Sequence, residues 1–159
     1  FPESWARFSG AIPAAEQDDL ISAYYDRLTK PEHERERLHF AKEWSLWEGS
    51  TVTLEPDNDQ RAYSVDPVFA TAFARIEAHY FKHAGFLESD NQILETANKL
   101  TGIPTTIIQG RYDAICPPIS AWDLAQAMPW AKLKIVPIAG HSAFEPAIQH
   151  ELICATDAI

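Results

Sequence analysis

Apolar positions in the first hundred residues recur every three or four places. Leu20, Ile21, Tyr24, Tyr25 and Leu28 form one such row, which predicts a helix from about Pro13 to Leu28. Lys30-Pro31 breaks that row, and Pro31 suits the first turn of the next helix. Residues 32–47 are rich in helix formers, with Leu38, Ala41, Leu46, Trp44 and Trp47 as the expected apolar side. Gly49-Ser50 is the expected stop, and residues 51–66, with Glu55-Pro56-Asp57-Asn58-Asp59, have the chemistry of a loop. Asp66-Pro67 opens a third helix, Val68 to about His83, which Gly85 ends; Asn91 to Leu100 is the fourth.

After Gly102-Ile103-Pro104 the period changes. Residues 105–109 form a short β-branched run, and 133–137 form another; both predict strands. Between them, Pro117 to Met128 predicts a helix with Ala121, Leu124, Ala125 and Met128 inward, and Glu145 to about Ala155 predicts a last one. Strand, helix, strand, helix with short connections specifies parallel strands with right-handed crossovers. Two strands leave sheet edges open, so residues 101–159 are expected to be the end of a larger parallel sheet. No internal repeat or low-complexity segment interrupts this order.

Composition narrows the function. The 159 residues carry 13 Lys+Arg against 23 Asp+Glu, a net charge of −10, which excludes a phosphate-binding surface of the nucleic-acid type. The 5 Trp, 5 Tyr and 8 Phe exclude an acidic disordered tail. Apolar runs are too short to span a bilayer. Cys116 and Cys154 are no disulfide framework and fit a reducing, cytoplasmic setting. The chain begins Phe1-Pro2-Glu3 without an initiator Met, and a fragment of a longer protein is the expectation.

Candidate chemistry sits on the loops that leave the two strands. Asp113 follows the first and His141 the second, 28 positions later. Sites in open α/β sheets form outside the carboxyl ends of strands, so the two residues should share one rim. An Asp that orients a His, and a His that accepts a proton from a nucleophile, are two members of a catalytic triad. Gly140 before the His permits a tight turn. His79 and His83 stand at the i, i+4 spacing of helical metal ligands, but no Glu adjoins the first and no third ligand is evident, so no metal is expected. Cys116, between Ile115 and Pro117, reads as a buried thiol without a chemical role. The run Glu32 to Arg37 reads as a solvated face.

Several segments, in order, resemble the prolyl aminopeptidases (proline iminopeptidases), serine peptidases of the α/β-hydrolase fold. They are Phe1-Pro2-Glu3-Ser4-Trp5, Trp44 to Gly49, Phe73 to Phe81, Gly110-Arg111-Tyr112-Asp113, Cys116-Pro117, Ser120 to Leu124, Ile135-Val136-Pro137 and Ala139 to Pro146. The resemblance implies a helical cap over residues 1–100 and the C-terminal part of the catalytic domain over 101–159. It implies Asp113 as the triad acid and His141 as the base. It also implies that Glu48 and Glu77 hold the free amino terminus of the substrate, with Trp47, Phe81 or Tyr80 against the pyrrolidine ring. Two carboxylates suit a cationic secondary amine, because each can accept one of its N–H hydrogens as a charge-assisted bond. The implied substrates are peptides with a free N-terminal proline, cleaved without metal or organic cofactor. No Gly-x-Ser-x-Gly elbow occurs in these residues. The resemblance puts it upstream of Phe1, so this chain alone is expected to be inactive. Two other readings stay open: another α/β hydrolase (an esterase, an epoxide hydrolase or a C–C bond hydrolase), and a non-catalytic binding module derived from the cap.

Overall fold

A computed structural model describes residues 1–158, apart from the side chain of Gln60. The chain divides into two compact units. The first comprises Phe1–Ser50 and Pro56–Phe86; the second comprises Thr51–Glu55 and the chain from Leu87 onward.

The first unit is helical: α1 (Pro2–Gly10), α2 (Leu20–Thr29), α3 (Arg37–Thr51), α4 (Asn58–Ser64) and α5 (Pro67–Lys82). The row anticipated for α2 is its inner face, with Tyr24 and Leu28 fully buried. That helix starts later than its pattern suggests. Residues 14–19 wind as a 3₁₀ turn, and the Asp19 side chain caps α2 by accepting from the Ser22 N–H at 3.0 Å. α3 also starts late, at Arg37, because no capping side chain stands among Glu32–Glu36 to fix an earlier start. Leu38 is exposed rather than inward, while Phe40, Ala41 and Trp44 enter the core. Gly49 does not end α3. It lies inside the last turn, where a Cβ would stand 2.5 Å from Ser64 Oγ, so it makes room for the end of α4. Residues 51–66 are therefore not all loop.

α5 supplies the narrow face of this core. Ala70, Ala74 and Ala78 are fully buried at i, i+4, i+8 and let α5 lie against α2. Asp66 caps α5 by accepting from the Val68 and Phe69 N–H groups, with Pro67 in the first turn. Phe8 stacks on Tyr24 at 4.5 Å and meets Trp44 edge-on at 5.7 Å. The buried Tyr24 hydroxyl donates to the Phe8 carbonyl at 2.7 Å, so this polar atom is satisfied inside the cluster.

The second unit holds α6 (Gln92–Thr96), β1 (Thr106–Gly110), α7 (Pro118–Ala127), β2 (Lys132–Val136) and α8 (Pro146–Asp157). The strands pair in parallel, with Ile107 opposite Leu133 and Gly110 opposite Val136. This is the α/β arrangement expected. α7 carries the crossover and buries Ala121, with Met128 just beyond its end, and α8 packs on β1. The small core is Val136, Ala139 and Ile148 with Ile108 beside it. No helix among the described residues is long and apolar enough to cross a membrane.

Candidate active site

The register of the sheet ends both strands at one level, so the turns that leave them run side by side. Arg111 donates its N–H to the Val136 carbonyl and Tyr112 to that of Ala139, each at 2.9 Å. Gly110 makes this possible, since a Cβ there would overlap the backbone of Gly140. The His141 loop is held from its other side by the 51–55 segment. The Val52 carbonyl accepts from the N–H groups of His141 (2.9 Å) and Ser142 (2.8 Å). The Gly140 N–H donates to Glu145 Oε1 at 2.8 Å.

These constraints bring Asp113 and His141 together: His141 Nδ1 lies 3.0 Å from Asp113 Oδ2. The Asp113 carboxylate is 8% exposed and can only accept, so Nδ1 carries the proton and Nε2 is left as the basic nitrogen. Asp113 Oδ1 accepts from the N–H groups of Ile115 (3.0 Å) and Cys116 (2.8 Å). Asp113 Oδ2 also accepts from Gln109 Nε2 at 3.2 Å. Burial pushes the Asp113 carboxyl up, but the hydrogen bonds from Cys116, His141 and Ile115 outweigh it and hold the group below its ordinary value. Asp113 thus stays ionised beside an imidazole whose side chain is 37% exposed. Cys116 is exposed rather than buried. The turn uses its backbone, N–H toward Asp113 and carbonyl toward Gln109, which leaves the thiol outside.

The carboxylates Glu48 and Glu77 lie on α3 and α5 of the helical unit, and both are half-buried rather than on a solvated face. Trp44 Nε1 donates to Glu77 Oε2 at 2.7 Å. Burial, with the charge of Glu77 added, pushes Glu48 up to about 7. Glu48 opens onto a cleft of about 440 Å³ walled by Trp5, Trp44, Trp47 and Phe81. Trp5 meets Trp47 edge-on at 5.4 Å, and Trp44 and Phe81 lie 5.9 Å apart. A carboxylate beside an aromatic wall is an arrangement that can attract a cation. Tyr80 is not part of that wall. It packs instead on Phe86 and His79.

His79 and His83 stand 4.7 Å apart between ring centroids, with the Tyr25 hydroxyl 3.5 Å from His79 Nδ1. Among the described residues no group of three or more His, Cys, Asp or Glu is placed to hold a metal ion. Gln109 and the Val52 carbonyl do not stand out in the sequence. Each is a single polar residue or backbone group with no pattern to mark it.

Compared with known proteins, the chain is 52% identical to the proline iminopeptidase of Xylella fastidiosa over 157 residues, 99% of this chain and 50% of that protein. It is 44% identical to that of Arabidopsis thaliana over 158 residues, 99% of the chain and 41% of that protein. It is 39% identical to that of Neisseria gonorrhoeae over 160 residues, the whole chain and 49% of that protein. Over nearly its whole length, then, the chain is similar to proline iminopeptidases. It spans about half the length of these relatives. No family model matches it. The helical part followed by parallel β–α–β–α agrees with a helical cap and the last strands of that family's α/β-hydrolase fold.

Proposed function

We propose that this chain supplies the acid–base pair and the amine-binding carboxylates of a serine peptidase that releases N-terminal proline from peptides. The observation that carries the proposal is the buried, ionised Asp113 held 3.0 Å from His141 Nδ1 in a chain related over its length to proline iminopeptidases.

The chemistry follows from the triad. His141 Nε2 takes the proton of a serine hydroxyl as the oxygen attacks the prolyl carbonyl. Asp113 stabilises the imidazolium that forms. His141 then returns the proton to the leaving amine, and water releases proline from the acyl-enzyme by the same base. The serine and the donors that stabilise the oxyanion are not in a Gly-x-Ser-x-Gly motif of these residues; the rest of the enzyme provides them. Glu48 and Glu77 accept the two N–H hydrogens of the prolyl ammonium, and Trp47 and Phe81 flank the ring. A blocked amine cannot make those bonds, which selects free ends. The helical unit acts as the cap and the β–α–β–α unit as part of the catalytic domain. The net charge of −10 favours the approach of cationic ends. Cys116 and Cys154 are exposed and not joined in a disulfide, which accords with a cytoplasmic setting.

The test is hydrolysis of a prolyl arylamide by the intact gene product, with its N-acetylated analogue as comparison. Release of arylamine from the free-amine substrate alone, abolished by His141→Ala, is expected. Equal cleavage of both substrates would overturn the amine-binding role, and activity that survives His141→Ala would overturn the catalytic one.

A further inference from the structure

Asp113 is held by two kinds of donor. The N–H groups of Ile115 and Cys116 belong to its own turn and grip Oδ1. They fix one oxygen but leave the carboxylate free to swing the other about it. Oδ2, the oxygen that faces His141, receives a second donor from Gln109 on β1. Gln109 is paired with Ile135 in the sheet, so its backbone is held more firmly than the loops it touches.

The Gln109 amide has three neighbours: the Gly110 carbonyl at 3.1 Å, the Cys116 carbonyl at 3.0 Å and Asp113 Oδ2 at 3.2 Å. All three are acceptors, so the amide must present its NH₂ group and not its oxygen. It ties the two ends of the turn, Gly110 and Cys116, to the carboxylate between them.

We propose that Gln109 is a positioning residue: its amide fixes the rotation of the Asp113 carboxylate and thereby which nitrogen of His141 carries the proton. This rests on the reading of Asp113 and His141 as the catalytic acid and base. An imidazole released from that carboxylate reverts toward the Nε2–H form, whose remaining lone pair faces away from the reacting group. Gln109 touches neither substrate nor nucleophile in this scheme and acts only through Asp113.

The test is the tautomer of neutral His141 in the intact gene product, read from its imidazole ¹⁵N shifts by NMR. It needs no substrate, so it stands even if no prolyl release is found. In the wild type the Nδ1–H form is expected to dominate. Gln109→Met keeps the shape and removes the donors; the Nε2–H form should then dominate, with the amide spectrum still dispersed. Where activity is present, kcat should fall about tenfold with KM unchanged. Gln109→Glu, which carries one donor only when protonated, should give the same tautomer change at neutral pH. A wild-type tautomer in either folded variant would overturn the proposal. Failure of both variants to fold would overturn it too, because Gln109 would then serve the fold at large.

Discussion

Gly110 lies so close to Gly140 that a Cβ on it would stand 1.9 Å from the Gly140 carbonyl oxygen. The contact is between two backbones, so no side chain can rotate away to relieve it. Gly110 ends β1 and Gly140 precedes His141, which makes this approach the hinge on which the Asp113–His141 distance depends.

Gly110→Ala should therefore force the turns after β1 and β2 apart. Overpacking of this kind costs about 1–3 kcal/mol. A lowered midpoint in thermal unfolding is expected, together with loss of the downfield proton on His141 Nδ1 in the NMR spectrum. A wild-type midpoint and an unmoved His141 signal would show that the backbones yield without cost.

Asp113→Asn should spare the fold and cripple the chemistry. The Asn oxygen can still accept from Ile115 and Cys116, but its NH₂ then faces His141 Nδ1 and forces the wrong tautomer. In a complete enzyme kcat should fall by about three to four orders of magnitude with an unchanged circular dichroism spectrum. The same substitution reads the charge of Asp113. Its carboxyl is lowered in the folded state, so its contribution to stability is full above the unfolded value near 3.8 and is lost as pH falls through the lower folded value. The stability gap between wild type and variant should be constant near pH 6 and shrink below about pH 4. Denaturant titrations across that range check it.

How much of this was legible beforehand differs by element. The strands and α7 were plain because β-branched runs and a helical period leave few alternatives over so short a stretch. Asp113 and His141 were legible as neighbours from topology alone, since parallel strands end at one rim. α1 carries no row of apolar residues beyond Trp5 and Phe8, and it is held by aromatic contacts from distant helices. The 51–55 segment looks like any polar loop, yet its Val52 carbonyl clamps the His141 loop. Glu48 and Glu77 are 29 positions apart on separate helices, and only the resemblance to a family singled them out. Leu38 misled because a period marks a face without saying what covers it.

Glu77→Gln should act on substrate binding more than on structure. The new amide oxygen can still accept from Trp44 Nε1, so the indole keeps its partner. The charge on one side of the ammonium is gone, and hydrogen bonds to charged groups contribute about 1.5–3 kcal/mol. KM for a free prolyl arylamide should rise more than tenfold with a smaller change in kcat. A matched ester without the amine should be cleaved as before. Equal losses on both substrates would make Glu77 a structural residue.

Glu48 should give the helical unit an unusual dependence on pH. Its carboxyl is pushed up to about 7 by burial and by Glu77. A raised acid favours the folded state fully below its unfolded value near 4.5, and that advantage is lost as pH rises through about 7. The loss between pH 4 and pH 8 is at most about 3 kcal/mol. Glu48→Gln should remove most of this slope, leaving the variant relatively more stable at pH 8 than at pH 4; parallel curves for the two proteins would contradict the placement. Binding should run the other way. The prolyl ammonium is best held when Glu48 is ionised, so KM should fall as pH rises from 6 through 7. It should rise again once the amine, which titrates near 8, loses its proton. Replacing Glu48 by Gln should abolish the acid limb of that profile and leave the alkaline limb in place.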